Sequence, residues 1–321
     1  MNDSSVAERE SGDGSVNDKP VRSSELTTRF GHVALIGRPN VGKTTLMNVL
    51  VGEKLAAVTR KPHTTRHRIV GLVSDETTQI ALLDTPGIDV SRGRLLNRAM
   101  NQTAIAALTE ADIVCQLVEA GVFNRLDAEV QRHVAAAGRP TLLLVTKVDR
   151  VADKMTLLPF LAERSAAFDY AAVIPISALK RTQVDQLLSE IRARLPVGPF
   201  GYDPETLSNR PERFRVAEVV REQLMLRLGE ELPYSVAVNV LAWEDRARST
   251  HIAADIIVER DSQKGIVIGK GGSMLKAVGT ASRTQIEGFL ERPVMLELNV
   301  RVSPGWTQDA RRLREFGIEE R

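Results

Sequence analysis

The stretch Gly37-Arg38-Pro39-Asn40-Val41-Gly42-Lys43-Thr44 constrains this chain more than any other part of its sequence. It fits G-x-x-x-x-G-K-[ST], follows the apolar run HVALIG at 32–37 and opens a helically spaced segment at 43–51. That is the setting in which such a loop cradles phosphate. Glycines let the backbone wrap an anion closely, amides at a helix N-terminus supply positive potential, and a lysine reaches the outer phosphates. Lys43 is therefore read as the ligand of a β,γ-phosphate pair, with Thr44 offering its hydroxyl to Mg2+ and Thr45 following it in the helix.

Such a loop needs a sheet behind it, and the pattern supplies one. Apolar runs at 32–37, 79–84, 112–118, 141–146 and 172–177 alternate with helically spaced segments at 43–51, 94–108, 127–137, 154–168 and 184–195. Runs that are apolar on both faces belong to strands covered by helices on both sides. The spacing predicts an α/β fold, a doubly wound and mostly parallel sheet, with 69–73 as an antiparallel hairpin strand at one edge. Pro and Gly then concentrate in PVGPFGYDPETLSNRP, which halts the pattern. Beyond it a helix at 211–228, strands at 234–244 and 251–260, a Gly-rich turn, a helix at 273–290 and a strand at 293–302 predict a smaller α+β unit. The expected organisation is a disordered polar tail at 1–29, a first domain at 30–195, a linker at 196–211, a second domain at 212–303 and a C-terminal tail at 304–321.

Composition narrows the classes. No run of about 18 uncharged apolar residues is present to cross a bilayer. A single cysteine, Cys115, lies in an apolar run, so an intramolecular disulfide is excluded and a buried thiol expected. Residues 1–29 are acidic and carry no apolar core of a signal peptide. Lys and Arg number 43 against 41 Asp and Glu, so any nucleic-acid site must be a local patch.

Three further turns sit at predicted strand ends. Asp84-Thr85-Pro86-Gly87 puts a carboxylate where it can hold Mg2+ through a water and a Gly87 amide where it can sense a γ-phosphate. Thr146-Lys147-Val148-Asp149 and Ser177-Ala178-Leu179-Lys180 together resemble the base-recognition elements of GTPases. Asp149 can accept from the paired N–H donors of guanine, Lys147 can lie along the ring, and the Ala178 amide can donate to O6. Pro62-His63-Thr64-Thr65-Arg66 occupies the place of a mobile loop with a Mg2+-coordinating threonine, and spacing alone does not separate Thr64 from Thr65. His63 and His67 are expected as solvated loop residues. Ile88 stands where a water-orienting Gln is found in Ras-like GTPases, which predicts slow intrinsic turnover. Asn40 resembles the phosphate-loop Asn with which potassium-activated relatives hold a monovalent cation, which would add carbonyls of 64–66 as further ligands; the alternative is a turn-forming Asn after Pro39.

The order of these motifs, followed by Ile268-Gly269-Lys270-Gly271-Gly272, resembles the Era family of bacterial ribosome-assembly GTPases from about Gly31 to the C-terminus. The resemblance implies GTP/GDP and Mg2+ as ligands and a type II KH domain whose G-x-x-G turn clamps single-stranded RNA. Lys264, Lys270 and Lys276 surround that turn with no carboxylate between them. It further implies binding near the 3' end of small-subunit ribosomal RNA and a role in maturation of the small ribosomal subunit. Peripheral membrane contact, a cytoplasmic setting and a monomer complete the implied picture. Thr146 departs from the family's usual Asn and is expected to loosen the tie between phosphate loop and base site. Trp306 and Phe316, among Arg311, Arg312 and Arg314, either stack on bases or pin a terminal helix. Two rival readings are an ATP-using P-loop enzyme and an RNA-binding protein with a weak or vestigial nucleotide site.

Overall fold

The computed structural model describes residues 27–89, 95–229 and 232–318. Most of the expected N-terminal tail, and 90–94 of the stretch after Gly87, lie outside these. Six strands form the first sheet: β1 (Arg29–Ile36), β2 (Ile69–Ser74), β3 (Thr78–Asp84), β4 (Ile113–Glu119), β5 (Thr141–Thr146) and β6 (Ala172–Ile176). Their order is β2-β3-β1-β4-β5-β6, all parallel except β2, which runs antiparallel to β3 from Ile69↔Asp84 to Ser74↔Gln79. Side-chain alternation explains the two-sided burial. Leu142 and Leu144 pack with α1 (Lys43–Val51) and α5 (Val184–Arg194). Leu143 and Val145 point the other way, to α4 (Leu157–Ala167). On that same face α2 (Leu95–Glu110) and α3 (Arg125–Ala137) cover Ala34 and Val114. Each fully buried aliphatic side chain contributes roughly 1.5 to 3 kcal/mol. The loops after β1, β3, β5 and β6 all emerge at the carboxyl edge, and strand order reverses at β1, which is where ligands bind in such sheets.

The second domain runs α6 (Glu212–Arg227), β7 (Ala237–Asp245), β8 (Thr250–Val258), α7 (Asp261–Ile268), α8 (Ser273–Leu290) and β9 (Val294–Val302). β7 pairs antiparallel and β9 parallel with β8, and Val220, Leu224, Ile256, Val258, Val267 and Val278 form the core beneath. The sequence predicts only a turn before α8, whereas α7 precedes it. This helix is eight residues long and holds Gly265, so its propensity is weak. Gln263 compensates, its Oε1 accepting from Glu259 N at 2.8 Å and Arg260 N at 3.1 Å.

Two expected connectors turn out to be built into the fold. In the linker, Leu207 O accepts from Leu72 N at 2.9 Å, Asn209 Oδ1 accepts from Val70 N at 3.1 Å, and Gln79 exchanges two bonds with the Tyr202 backbone. The linker thus lies along the outer edge of β2. The expected C-terminal tail, through Ile318, forms a 3-10 turn at Trp306–Gln308 and α9 (Ala310–Glu315), a terminal helix as one of its two readings has it. Trp306 is fully buried, donates Nε1–H to Ser235 O at 3.1 Å and meets Phe316 edge-on at 5.3 Å. With Leu313 and Ile318 it joins Leu96, Ala99 and Met100 of α2, tying the two domains together. Burial, not stacking on bases, accounts for this tryptophan.

The domains also meet along α6. Glu222 Oε1 accepts from Val58 N at 2.9 Å and its carboxylate pairs with Lys54. Lys61 Nζ donates to Leu228 O, at the end of α6. Arg66 donates to Val236 O at 2.7 Å, and the buried Glu218–Arg221 pair lies at 2.5 Å nearby. The mobile loop is therefore enclosed between the domains, which is why the histidine expectation fails. His63 is buried with Nε2 3.2 Å from Asp89 Oδ2, and His67 Nε2 lies 2.9 Å from Phe316 O, its ring edge-on to Phe214 at 5.1 Å.

Burial pulls the His67 imidazole down to about 4, so the folded state refuses a proton that the unfolded chain accepts below about 6.5. Its contribution to stability is whole above that pH and is lost as pH falls through the interval. Between pH 7 and 5 the unfolding free energy of the wild type should drop by about 1 to 2 kcal/mol more than that of His67→Gln. Urea titrations at the two pH values measure this, and equal drops would mean that the ring titrates as freely folded as unfolded.

Candidate nucleotide site and RNA-facing loop

Lys43, the first residue of α1, is buried and folds its ammonium back onto the loop, donating to Gly37 O and Arg38 O at 3.0 Å each. One residue on, Thr44 Oγ1 donates to Asp84 Oδ2 at 2.6 Å and lies 2.7 Å from Thr65 Oγ1. Three oxygens from α1, the end of β3 and the mobile loop thus converge. The other Asp84 oxygen, Oδ1, is buried with no protein hydrogen-bond partner. Burial raises the Asp84 carboxyl and lowers the Lys43 ammonium from their ordinary values. An oxygen cluster with a spare buried carboxylate atom suits a small hard cation such as Mg2+. Thr64 is turned away, donating to Lys61 O at 2.7 Å and lying 2.7 Å from Thr59 Oγ1. The geometry therefore separates the two threonines that spacing left equivalent.

The turn after β3 is locked to the phosphate loop. Thr85 Oγ1 donates to Leu35 O at 3.0 Å and Ile88 N to Gly37 O at 3.3 Å, with Pro86 between them. A methyl group on Gly87 would sit 2.6 Å from Pro39 Cα, so the two backbones touch only because this residue has no side chain. Asn40, at a positive φ of 63°, donates Nδ2–H to Arg60 O at 2.7 Å and so holds the mobile loop from the phosphate side.

At the base end, Ser177 Oγ donates to Asp149 Oδ1 at 2.6 Å, and this bond keeps the carboxyl below its ordinary range. Ser177 thus fixes the orientation of the Asp149 carboxylate. A pocket of about 80 Å³ is lined by Val41, Thr146, Lys147, Asp149, Ala178 and Leu179 among others. It adjoins a cavity of about 790 Å³ running past Lys43, Thr44, Thr45 and Gly87. Thr146 keeps a tie to the phosphate loop, its hydroxyl lying 2.8 Å from Val41 O and 3.2 Å from Val118 O.

Sequence reasoning missed two acids here. Arg38 turns its side chain to Glu119 at 2.8 Å and Asp127 at 3.3 Å, and Lys147 pairs with the same Glu119 oxygen at 3.0 Å. Glu119 ends β4 and Asp127 closes a capping box with Asn124. The Asn-x-x-Asp spacing signalled the cap, but no pattern signalled that its carboxylate would face the phosphate loop.

The second candidate site is the turn between α7 and α8. Gly269, Gly271 and Gly272 take φ of 74°, 58° and 77°, a run of left-handed backbone that side chains disfavour. Open space lies where a side chain would begin on Gly271 and Gly272, so another backbone can approach from that side. Lys270 and Lys276 are exposed and Lys264 half-buried, whereas Ile268 packs against the core of the second domain.

Gly87→Ala should displace the phosphate loop, since the new methyl meets loop backbone that cannot rotate away. Nucleotide affinity by equilibrium titration is expected to fall at least about tenfold, near 1.4 kcal/mol. Unchanged affinity would mean that the loop yields freely and that the contact does not set its position.

Comparison with known proteins accords with this geometry. Residues 32–147 match the family described as a 50S ribosome-binding GTPase, and 231–307 match the KH domain. The GTPase Era of Bordetella avium is 42% identical over 296 residues, covering 92% of this chain and 100% of the relative. That of Xanthomonas axonopodis pv. citri is 44% identical over 298 residues at the same coverage. Among solved structures, an Aquifex aeolicus Era variant bound to GDP·AlF4− superposes with a TM-score of 0.88 at 34% identity, covering 91% of this chain and 100% of that one. Era in complex with MgGDPNP and nucleotides 1506–1542 of 16S ribosomal RNA gives the same values. With its P-loop domain, its KH domain and relatives of this identity along nearly their whole length, the chain belongs to the Era family of GTPases.

Proposed function

We propose that this protein hydrolyses GTP and uses its second domain to bind the single-stranded 3' region of small-subunit ribosomal RNA, assisting maturation of the small ribosomal subunit. The observation that carries the hydrolytic half is the convergence of Thr44, Asp84 and Thr65 beside the buried Lys43. In this reading the backbone from Gly37 to Thr45 wraps the phosphates, Lys43 neutralises the β and γ oxygens, and the Gly87 amide contacts the γ-phosphate. Thr44 and Thr65 would hold Mg2+ with Asp84 behind them, and the ion would supply positive charge to offset that of the phosphates. Asp149, oriented by Ser177, accepts from the guanine edge while Lys147 lies along the ring and the Ala178 amide meets O6, with Leu179 covering the base. Ile88 offers no group to align water, so turnover is slow in the absence of a further partner.

The Asn40 Nδ2 group already donates to Arg60 O, and its Oδ1 would serve as a ligand for potassium. For RNA, the reading uses Gly269-Lys270-Gly271-Gly272 as the backbone clamp, with Lys264 and Lys276 flanking and Ile268 supporting it from beneath. It is supported by the KH match and by the related Era–16S complex. A cytoplasmic monomer with peripheral membrane contact completes the proposal. Among the described residues no helix is long and apolar enough to cross a membrane.

Two measurements address the two ends of the molecule. Asp149→Asn should lose several kcal/mol of GTP affinity while gaining relative affinity for xanthosine triphosphate, because an acceptor is replaced by a group that also presents a donor. Lys270→Asp with Gly271→Asp should abolish binding of a single-stranded 16S 3' fragment and leave GTP turnover intact. Parent-like GTP affinity in the first variant would misplace the base site, and retained RNA binding in a folded second variant would move the RNA site.

The metal reading is checked separately. Thr65→Ala should raise the Mg2+ concentration needed for half-maximal turnover about tenfold or more, whereas Thr64→Ala should shift it little. Replacing potassium by sodium at equal ionic strength should slow turnover, and equal rates would leave Asn40 a loop-fastening residue alone.

A further inference from the structure

We infer that the second domain completes the nucleotide site: α6 forms one wall of the cavity and sets how fast guanine nucleotide leaves. The inference rests on the nucleotide reading above. The cavity lined by Lys43, Gly87 and Lys147 also has Met225 and Leu226 of α6 in its lining. Met225 is 1% exposed and fixed in place, whereas Leu226 remains 56% exposed although Val216, Val220 and Leu224 of the same helix are buried. An exposed leucine is unremarkable alone. Here it borders a cavity lined by lysine and threonine side chains, where it gains contact once a ligand covers it.

A second set of contacts bears on the same wall. The segment 57–61 borders the cavity, and α6 grips it from behind. Glu222 takes the Val58 amide at 2.9 Å, and the carbonyl of Leu228 takes the Lys61 ammonium. Asn40 Nδ2 donates to the Arg60 carbonyl at 2.7 Å. The segment is thus fastened to α6 at both ends and to the phosphate loop between them. A nucleotide that leaves by displacing this segment must first break bonds to the second domain. The helix that begins the RNA-binding domain is in this way also a latch on the nucleotide.

Release of a fluorescent GDP, chased by excess unlabelled GDP at fixed Mg2+, tests this on the full chain. Leu226→Ser and Glu222→Gln should each release it about three- to tenfold faster, with preference for GDP over ADP as in the wild type. Met155→Ser, at a site 68% exposed and absent from the cavity lining, should keep the wild-type rate. Leu226→Ser should also melt at the wild-type temperature, which separates a wall from a general loosening of the fold. Should Glu222→Gln fail to fold, the exposed Leu226 site decides alone. Binding with wild-type release rates in the variants overturns the inference while leaving the nucleotide reading intact. Failure of the wild type to bind the fluorescent GDP, by contrast, removes that reading and the inference with it.

Discussion

The hydroxyl of Thr44 touches Asp84 and Thr65 at once, and through it three distant parts of the chain meet at one point. Placing Asp84 there costs free energy, since a carboxylate removed from water must be compensated. The phosphate loop, the strand end and the mobile loop are arranged to supply that compensation. Three further contacts at this end support the same junction: Gly87 against Pro39, Ile88 N on Gly37 O, Asn40 on Arg60 O. A site of this kind binds its ligand largely with backbone groups, so its quality depends on how rigidly the surrounding side chains hold that backbone.

Enclosure of the mobile loop follows from charges as much as from shape. Glu218, Glu222, Arg66 and Arg221 are all buried at the boundary between the domains. Glu218 pairs with Arg221 and Glu222 with Lys54, and removing one member of such a pair leaves an uncompensated charge at the boundary. Trp306 adds an apolar bolt from the C-terminal segment to α2. The loop therefore reports to both sides: its threonine faces the phosphate end and its backbone rests on α6. Typical coupling between sites joined by such an element is about 1 to 3 kcal/mol.

Much of this was legible because the signals were local. The two-faced apolar runs placed most first-domain strands within a residue, Thr141–Thr146 without any shift, although β1 opens at Arg29, three residues before its run, and the phosphate loop announced itself by spacing and flanks. What could not be read were features decided by contacts between remote residues. Nothing local separates Thr64 from Thr65; only the approach of Thr44 does. His67 looked solvated because its partners, Phe214 and Phe316, are about 150 and 250 residues away. Thr146 looked like a weakened Asn, yet a hydroxyl is enough where the Val41 carbonyl comes within 2.8 Å. Trp306 illustrates the converse, an aromatic amid arginines whose composition suggested nucleic acid and whose burial belongs to packing.

The linker along β2 has a consequence for how far the two domains are independent units. An outer strand presents a row of unpaired amides and carbonyls, a template on which another chain can pair. Here residues 207–209 occupy that row, with Gly71 bridging Ser208 and Val70 engaging Asn209. A first domain severed at Leu195 would keep its core and its phosphate loop but expose a bare sheet margin. Self-association through that margin is the expected cost of division, so the stretch richest in Pro and Gly serves as the selvedge that keeps the sheet from fraying into its neighbours.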